Sequence, residues 1–363
     1  MSVTAPDRAR LRQLGIAIGR LETGAANAIT DVPGVLIGQA TVIRDEPHVV
    51  RSGITMIVPR EGVWTDYVYA GSHVLNGNGE MTGLIWVEES GMLGSPIGIT
   101  TTAQVGLVRD FLVDEAYRLG VLEGFHLPVV GETWDGWLST PEAFPLTASD
   151  AASALGSARP GPIAEGAVGG GTGMICHEFK GGTGTSSRLV EAVGERFTVG
   201  VLVQANYGSR EDLRVDGVPV GREIGPDLVP SAWDQPPQGG SIIVVVATDA
   251  PILPDQCRRL ARRATVGLTR VGGYGHDSSG DIFFAFSTAN HLAELPGRVR
   301  DVRSLPNEAM DPLFHAVADA TEESILNALC VADTMTGRDG RTAHALPLDR
   351  LVEIMERRVL PRT

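Results

Sequence analysis

The sequence predicts an α+β fold built of packed layers. Short apolar runs with the composition of buried strands recur between glycine-rich turns, amphipathic helices follow them at irregular intervals, and the sequence shows neither an internal repeat nor the regular βαβ rhythm of a doubly wound sheet. With 363 residues, 43% of them hydrophobic, the chain is long enough for one large single-core domain or two ordinary ones, and apolar enough to fold without disulfide or metal staples.

Taken in order, Ile54–Pro59 (ITMIVP), Val199–Gln204 (VGVLVQ), Ile242–Ala247 (IIVVVA) and Ile282–Phe286 (IFFAF) are too short for buried helices and rich in β-branched and aromatic residues, so they are strands. Val105, Val108, Leu112, Ala116 and Leu119 recur at spacings of three and four, which predicts a helix with Thr102 as its cap and Gly120 as its stop. Cys257, Leu260, Ala264 and Leu268 repeat that pattern and end at Gly272 and Gly273. Asp311 and Pro312 form an N-cap and first-turn pair for a helix running to about Ala332. Leu348, Leu351, Met355 and Val359 mark a last amphipathic helix.

Charge and composition exclude several functions. A net charge of −14 repels phosphate backbones and anionic lipid, so neither nucleic acid nor membrane is expected as a partner. No apolar run approaches the roughly 18 residues of a membrane span, and the N-terminus lacks the uninterrupted apolar core of a signal peptide. Cys176, Cys257 and Cys330 are odd in number and far apart, which points to reduced thiols and a cytoplasmic location. Lys180 is the only lysine, so any chemistry needing an amine side chain rests on it. The sequence contains no GxSxG, HExxH or GxxxxGK[ST], and its eight histidines are scattered; neither metal nor cofactor is expected. The run Gly169–Gly173 has the amides to cradle a phosphate, but a lone glycine run without an acidic ribose-binding partner is weak support for nucleotide binding.

One stretch stands apart. Residues 217–240 hold five prolines and show neither helical nor strand periodicity, and at Gly239-Gly240-Ser241 they give way abruptly to the most apolar strand in the chain. A break between Gly240 and Ser241 places an α-amine and a hydroxyl on one residue. An α-amine has a pKa near 8, so at neutral pH a useful fraction can accept the serine proton. The glycine before the bond lets the backbone bend until the hydroxyl nears its own carbonyl, and movement of the proline-rich loop then opens the site. The plain alternative is a strand that happens to begin after a loop.

Further blocks surround that junction: Asp31–Val35 (DVPGV), Val130–Thr133 (VGET), Ala164–Gly166 with Gly169–Met174, Val203–Asn206 (VQAN), Gly240–Ile243 (GSII), Ser278–Asp281 (SSGD) and Phe284–Asn290 (FAFSTAN). Together, in this order, they resemble the DmpA family of L-aminopeptidase/D-esterases, which includes the β-peptidyl aminopeptidases. The resemblance covers about residues 29–290 and thins toward the C-terminus.

The resemblance implies a single domain, 1–363, folded as a four-layer α/β/β/α sandwich, similar in outline to N-terminal nucleophile hydrolases and shared with the ornithine acetyltransferases. It implies a precursor that cuts itself at Gly240–Ser241 into an α chain, 1–240, and a β chain, 241–363, and assembles as a homotetramer of αβ pairs. Ser241 matches the nucleophile, and Ser279 and Asp281 match a Ser-x-acid pair beside it. Asn206 matches the oxyanion-hole donor, and Glu132 the carboxylate that grips the free ammonium of a small peptide, amide or ester substrate. Where the family has a tyrosine donor, this chain has Trp134, whose indole N–H has a different reach. Whether the α-amine or the Ser279/Asp281 pair is the general base stays open, since a nearby carboxylate raises the amine's pKa. The expected activity is release of an N-terminal amino acid through an acyl-enzyme on Ser241. The rivals are an acyl or amino-acyl transferase, whose relatives carry threonine at the cut, a nylon-oligomer-type amidase, and an unprocessed ligand-binding homologue. Gly169–Gly173 and Cys176-His177 sit in a matching block, which implies close backbone packing near the site and not phosphate binding, and His177 is expected to be a structural or surface histidine.

Overall fold

The computed structural model describes residues 8–121, 125–233, 240–293 and 298–358. In chain order the elements are β1 (Leu36–Arg44), β2 (Val50–Val58), β3 (Asp66–Gly77), α1 (Leu84–Ser90), β4 (Met92–Leu93), β5 (Ile97–Thr101), α2 (Val105–Arg118), β6 (Val129–Thr133), α3 (Ala148–Gly156), β7 (Ile175–Cys176), β8 (Phe179–Lys180), β9 (Gly182–Ala192) and β10 (Glu195–Tyr207). They continue with β11 (Gly240–Thr248), α4 (Pro254–Val271), β12 (Ser279–Ala293), α5 (Asp311–Val331), β13 (Met335–Thr336), β14 (Thr342–Ala343) and α6 (Leu348–Arg358). Among the described residues no helix is long and apolar enough to cross a membrane.

Two sheets form the centre, one ordered β1-β2-β5-β6 and the other β4-β3-β12-β11-β10-β9. Strand alternation assigns each side chain to a layer. Ile243, Val245 and Ala247 of β11 meet Ile57, Ile97 and Ile99 between the sheets. Ile242, Val244 and Val246 face the other way, onto Leu260, Ala264 and Leu268 of α4 and Leu313, Val317 and Ile325 of α5. On the outer face of the smaller sheet, Ile54, Met56 and Val130 pack on Val108 and Leu112 of α2 and Ala151 and Ala154 of α3. The result is the expected α/β/β/α sandwich, in which β11 is apolar on both faces because both are covered.

Three of the four strands read from the sequence lie within longer ones, the fourth, Ile54–Pro59, falls in β2 except for Pro59, and the periodic helices are α2, α4, α5 and α6; Val359 lies outside the described residues. The helix caps differ. Thr102 does not cap α2: a 3₁₀ turn, Thr102–Gln104, comes first, Gln104 is the N-cap, and the Thr102 hydroxyl goes to Glu132 instead. Asp311 is already helical, with Met310 before it as the N-cap. The proline-rich stretch also departs from expectation as far as it is described. Val220 and Ile224 are core residues, and Arg210 donates to the carbonyls of Val229 and Pro230, so 217–233 is anchored; residues 234–239 lie outside the described part.

Candidate active site

Strand register builds the site around Ser241. In the antiparallel β10–β11 pair Asn206 stands opposite Ser241, and in the parallel β11–β12 pair Gly280 is the partner of Ser241 and Ser279 that of Gly240. The hydroxyl-bearing residue is thus flanked by an amide on one side and a bare backbone on the other. Gly240 has φ +145°, and a Cβ there would come within 2.6 Å of the Tyr207 Cα, so no other residue fits before Ser241 without displacing β10.

On the β10 side, the Asn206 Nδ2 donates to the Trp134 carbonyl at 3.0 Å, while its Oδ1 accepts from the Ile175 amide at 2.9 Å. These two bonds fix which end of the amide is which, and they leave one Nδ2 proton uncommitted. The Ile175 amide is supplied by the chain that follows the glycine run. Gly169–Gly171 forms a buried 3₁₀ turn in which a Cβ on Gly170 would sit 2.6 Å from the Ile99 carbonyl oxygen. The Gly169 and Gly170 amides donate to Thr41 and Thr55, so the run packs backbone on backbone as expected and presents no anion cradle. Lys180 is fully buried beneath it and donates to the carbonyls of Met174 (2.7 Å) and Gly181 (2.8 Å); burial lowers its pKa to about 7.

On the β12 side stands Glu132, at the edge of the smaller sheet. It is buried, not a surface glutamate. Its Oε1 accepts from the Glu80 amide at 2.9 Å and its Oε2 from the Thr102 hydroxyl. No cation pairs with it among the described residues, and burial raises its pKa, a shift the two hydrogen bonds oppose. The approach is made possible by glycine on both sides: Gly280 leaves room for Gly79, and a Cβ on Gly79 would lie 3.0 Å from the Gly280 Cα and 3.3 Å from the Glu132 carboxylate.

Ser279 donates to Asp281 Oδ1 at 2.7 Å, and Asp281 Oδ2 is buried with no hydrogen-bond partner among the described residues. Desolvation raises the pKa of Asp281, against the bond from Ser279. The pair lies alongside Gly240, and alternation along β12 aims it toward the helix face, whereas Ser241 and Asn206 share the face toward the smaller sheet. Ser241 Oγ makes no side-chain hydrogen bond to either member. His177 is structural: it is fully buried, its Nδ1 lies 2.9 Å from the Ser209 carbonyl, its ring meets Tyr207 edge-on, and burial lowers its pKa to about 4.

Ser241, Asn206, Glu132 and Trp134 line one cavity of about 690 Å³, a size suited to a small ligand. Trp137, Trp233 and Thr102 line it too, and sequence reading did not assign these to the site. In the sequence Thr102 reads as a helix cap. The tryptophans sit in turns without a motif. Trp134 is 51% exposed, with its indole lying over Gly136, and the tie to Asn206 runs through its backbone carbonyl.

Known proteins place this arrangement among the aminopeptidases with an N-terminal nucleophile hydrolase fold. The solved structure of L-aminopeptidase D-Ala-esterase/amidase from Ochrobactrum anthropi, described as a variant of that fold, matches with a TM-score of 0.87 and 42% identity over 96% of this chain and 98% of that one. A Burkholderia sp. β-aminopeptidase matches with a TM-score of 0.91 and 46% identity, covering 97% and 99%. The β-peptidyl aminopeptidase BapA of Sphingosinicella microcystinivorans is 44% identical over 96% of this chain and 92% of its own length. The chain belongs to Peptidase family S58, whose model matches residues 27–343, and it is an aminopeptidase. The family match runs well past the residue 290 at which the motifs thin out.

Proposed function

We propose that the chain is a self-processing serine aminopeptidase whose Gly240–Ser241 bond breaks to free the α-amine of Ser241. The new amine takes the Ser241 hydroxyl proton, and Oγ attacks the carbonyl carbon of the substrate's N-terminal residue. The uncommitted Asn206 proton meets the oxyanion; one such donor contributes about 3 kcal/mol to the transition state. The carbon–nitrogen bond of the substrate then breaks, the leaving amine departs with the transferred proton, and water hydrolyses the ester on Oγ to release the amino acid.

The observation that carries this reading is Glu132. A buried carboxylate without a cation is costly unless its ligand brings the charge, and a substrate ammonium supplies it. That selects an unblocked N-terminus and makes the enzyme an exopeptidase. The Ser279–Asp281 pair, lying along Gly240 and not hydrogen-bonded to the Ser241 hydroxyl, is assigned to the backbone side of Ser241: to bond breakage during maturation and to orienting the new ammonium. The mature form is proposed to be a cytoplasmic tetramer of αβ pairs.

The test is hydrolysis of matched substrates with a free or an acetylated amine by purified enzyme, alongside a denaturing gel. Two bands and activity confined to the free amine support the proposal. A single uncut band with no turnover favours the binding homologue, and transfer to an added amine in preference to hydrolysis favours the transferase.

A further inference from the structure

Three of the chain's five tryptophans, Trp134, Trp137 and Trp233, line the cavity that holds Ser241. Indole surface left facing a solvent-open cavity is unfavourable unless a ligand covers it. Their position relative to Ser241 is set by the register. Glu132 reaches Ser241 from the β12 side, through Gly79 and Gly280. The tryptophans reach it from the β10 side: Asn206 is bonded to the Trp134 carbonyl and the Ile175 amide, and Ile175 packs with Trp137 and Trp233. The carboxylate and the indoles therefore lie on opposite sides of the serine.

A substrate of this site has three parts in a row: the ammonium, the reacting carbonyl and the leaving group. With the ammonium at Glu132 and the carbonyl at Ser241, the part beyond the carbonyl extends to the tryptophans. We infer that Trp137 and Trp233 form the leaving-group subsite, and that it takes an uncharged aromatic or large apolar amine component, so that the substrate class is N-terminal aminoacyl derivatives of aromatic amines or aromatic residues. This rests on the reading of Glu132 and Ser241 given above. The wall is pre-formed: the two indole centroids are 5.6 Å apart with ring planes at 50°, and the Arg341 guanidinium lies 4.4 Å from the Trp137 centroid, holding that ring in place. Such a wall discriminates by apolar contact, which for one large side chain amounts to tenfold or more in kcat/KM.

The experiment compares dipeptides with one fixed N-terminal residue and either phenylalanine or glycine as the leaving residue, so that the amine chemistry is the same in both. Wild-type enzyme is expected to favour the phenylalanine peptide by at least about tenfold in kcat/KM. In Trp233→Ala and in Trp137→Leu the ratio is expected to fall to within about threefold, with the loss concentrated on the phenylalanine peptide; each variant's melting temperature reports that it has folded, and Trp233→Ala carries the test if Trp137→Leu does not fold. A wild-type ratio near one, or a tenfold ratio that survives in the folded variants, overturns the inference and leaves the aminopeptidase reading intact. An enzyme that hydrolyses neither peptide, with or without a free amine, overturns the reading of the site and this inference with it.

Discussion

Ser241 and Asn206 face each other across the β10–β11 ladder, each at the end of a run of buried apolar residues. Antiparallel partners carry their side chains on the same face. The Asn206 amide is thus held beside the serine by the most heavily buried part of the sheet, and the Ile175 amide and Trp134 carbonyl dictate its orientation.

Replacing Asn206 with Ala removes one donor from a preorganised pair of strands. We expect kcat to fall by about a hundred- to a thousandfold, with KM little changed. Asn206→Asp is expected to be at least as damaging, because it places a carboxylate oxygen against the Trp134 carbonyl. Steady-state kinetics on the purified variants make the check; a change below threefold takes Asn206 out of the oxyanion role.

Glu132→Gln keeps acceptor capacity for the Glu80 amide and the Thr102 hydroxyl while removing the charge. The expected loss in kcat/KM on free-amine substrates is about a hundredfold, in line with a desolvated charge pair. Its pH dependence follows from burial. Since the free-enzyme carboxyl has a raised pKa, it is ionised only above a pH higher than the ordinary glutamate range, so kcat/KM falls on the acid side earlier than an exposed glutamate would cause. That acid limb should be absent from a pH profile of Glu132→Gln.

Ser279→Ala and Asp281→Asn test the placement of this pair on the backbone side of Ser241. Both variants are expected to accumulate uncut chain, slowed at least tenfold in self-cleavage, when followed by gel after expression. Prompt cleavage with a large loss of turnover in the cut enzyme assigns the pair to the catalytic cycle instead.

Lys180 supports the segment that delivers the Ile175 amide, and its pKa sets the sign of a stability effect. The folded-state value of about 7 lies below the ordinary lysine value, so between the two the unfolded chain binds a proton that the folded chain lacks. The lysine's contribution therefore rises with pH across that window. Relative to Lys180→Met, wild-type protein should gain a few degrees in melting temperature at pH 9 over pH 7; a constant difference removes the linkage.

The legible parts of the chain were those whose residues have one kind of neighbour. Strands β10 and β11 announce themselves because both faces are covered, and α4 because one face is. Strand β9 was missed for a physical reason. Its sequence, Gly182-Thr183-Gly184-Thr185-Ser186-Ser187, carries small polar residues because the backbone of α5 lies directly on it; a Cβ on Gly184 would come within 1.9 Å of the Ser324 carbonyl oxygen. Close packing here replaces apolar bulk, and composition does not reveal it. The same distinction divides the site. Ser241, Asn206 and Glu132 sit in recognisable blocks, yet the burial of Glu132 depends on Gly79, Glu80 and Thr102, far from it in sequence. Trp137 and Trp233 meet only in the folded chain, 96 positions apart in numbering.

Intact mass measurement of the purified, active protein tests the core of this account. The prediction is a β fragment whose mass begins at Ser241, an α fragment ending at Gly240, and, from Ser241→Ala prepared in parallel, one uncut and inactive chain. A wild-type preparation that remains a single polypeptide while releasing N-terminal amino acids would contradict it.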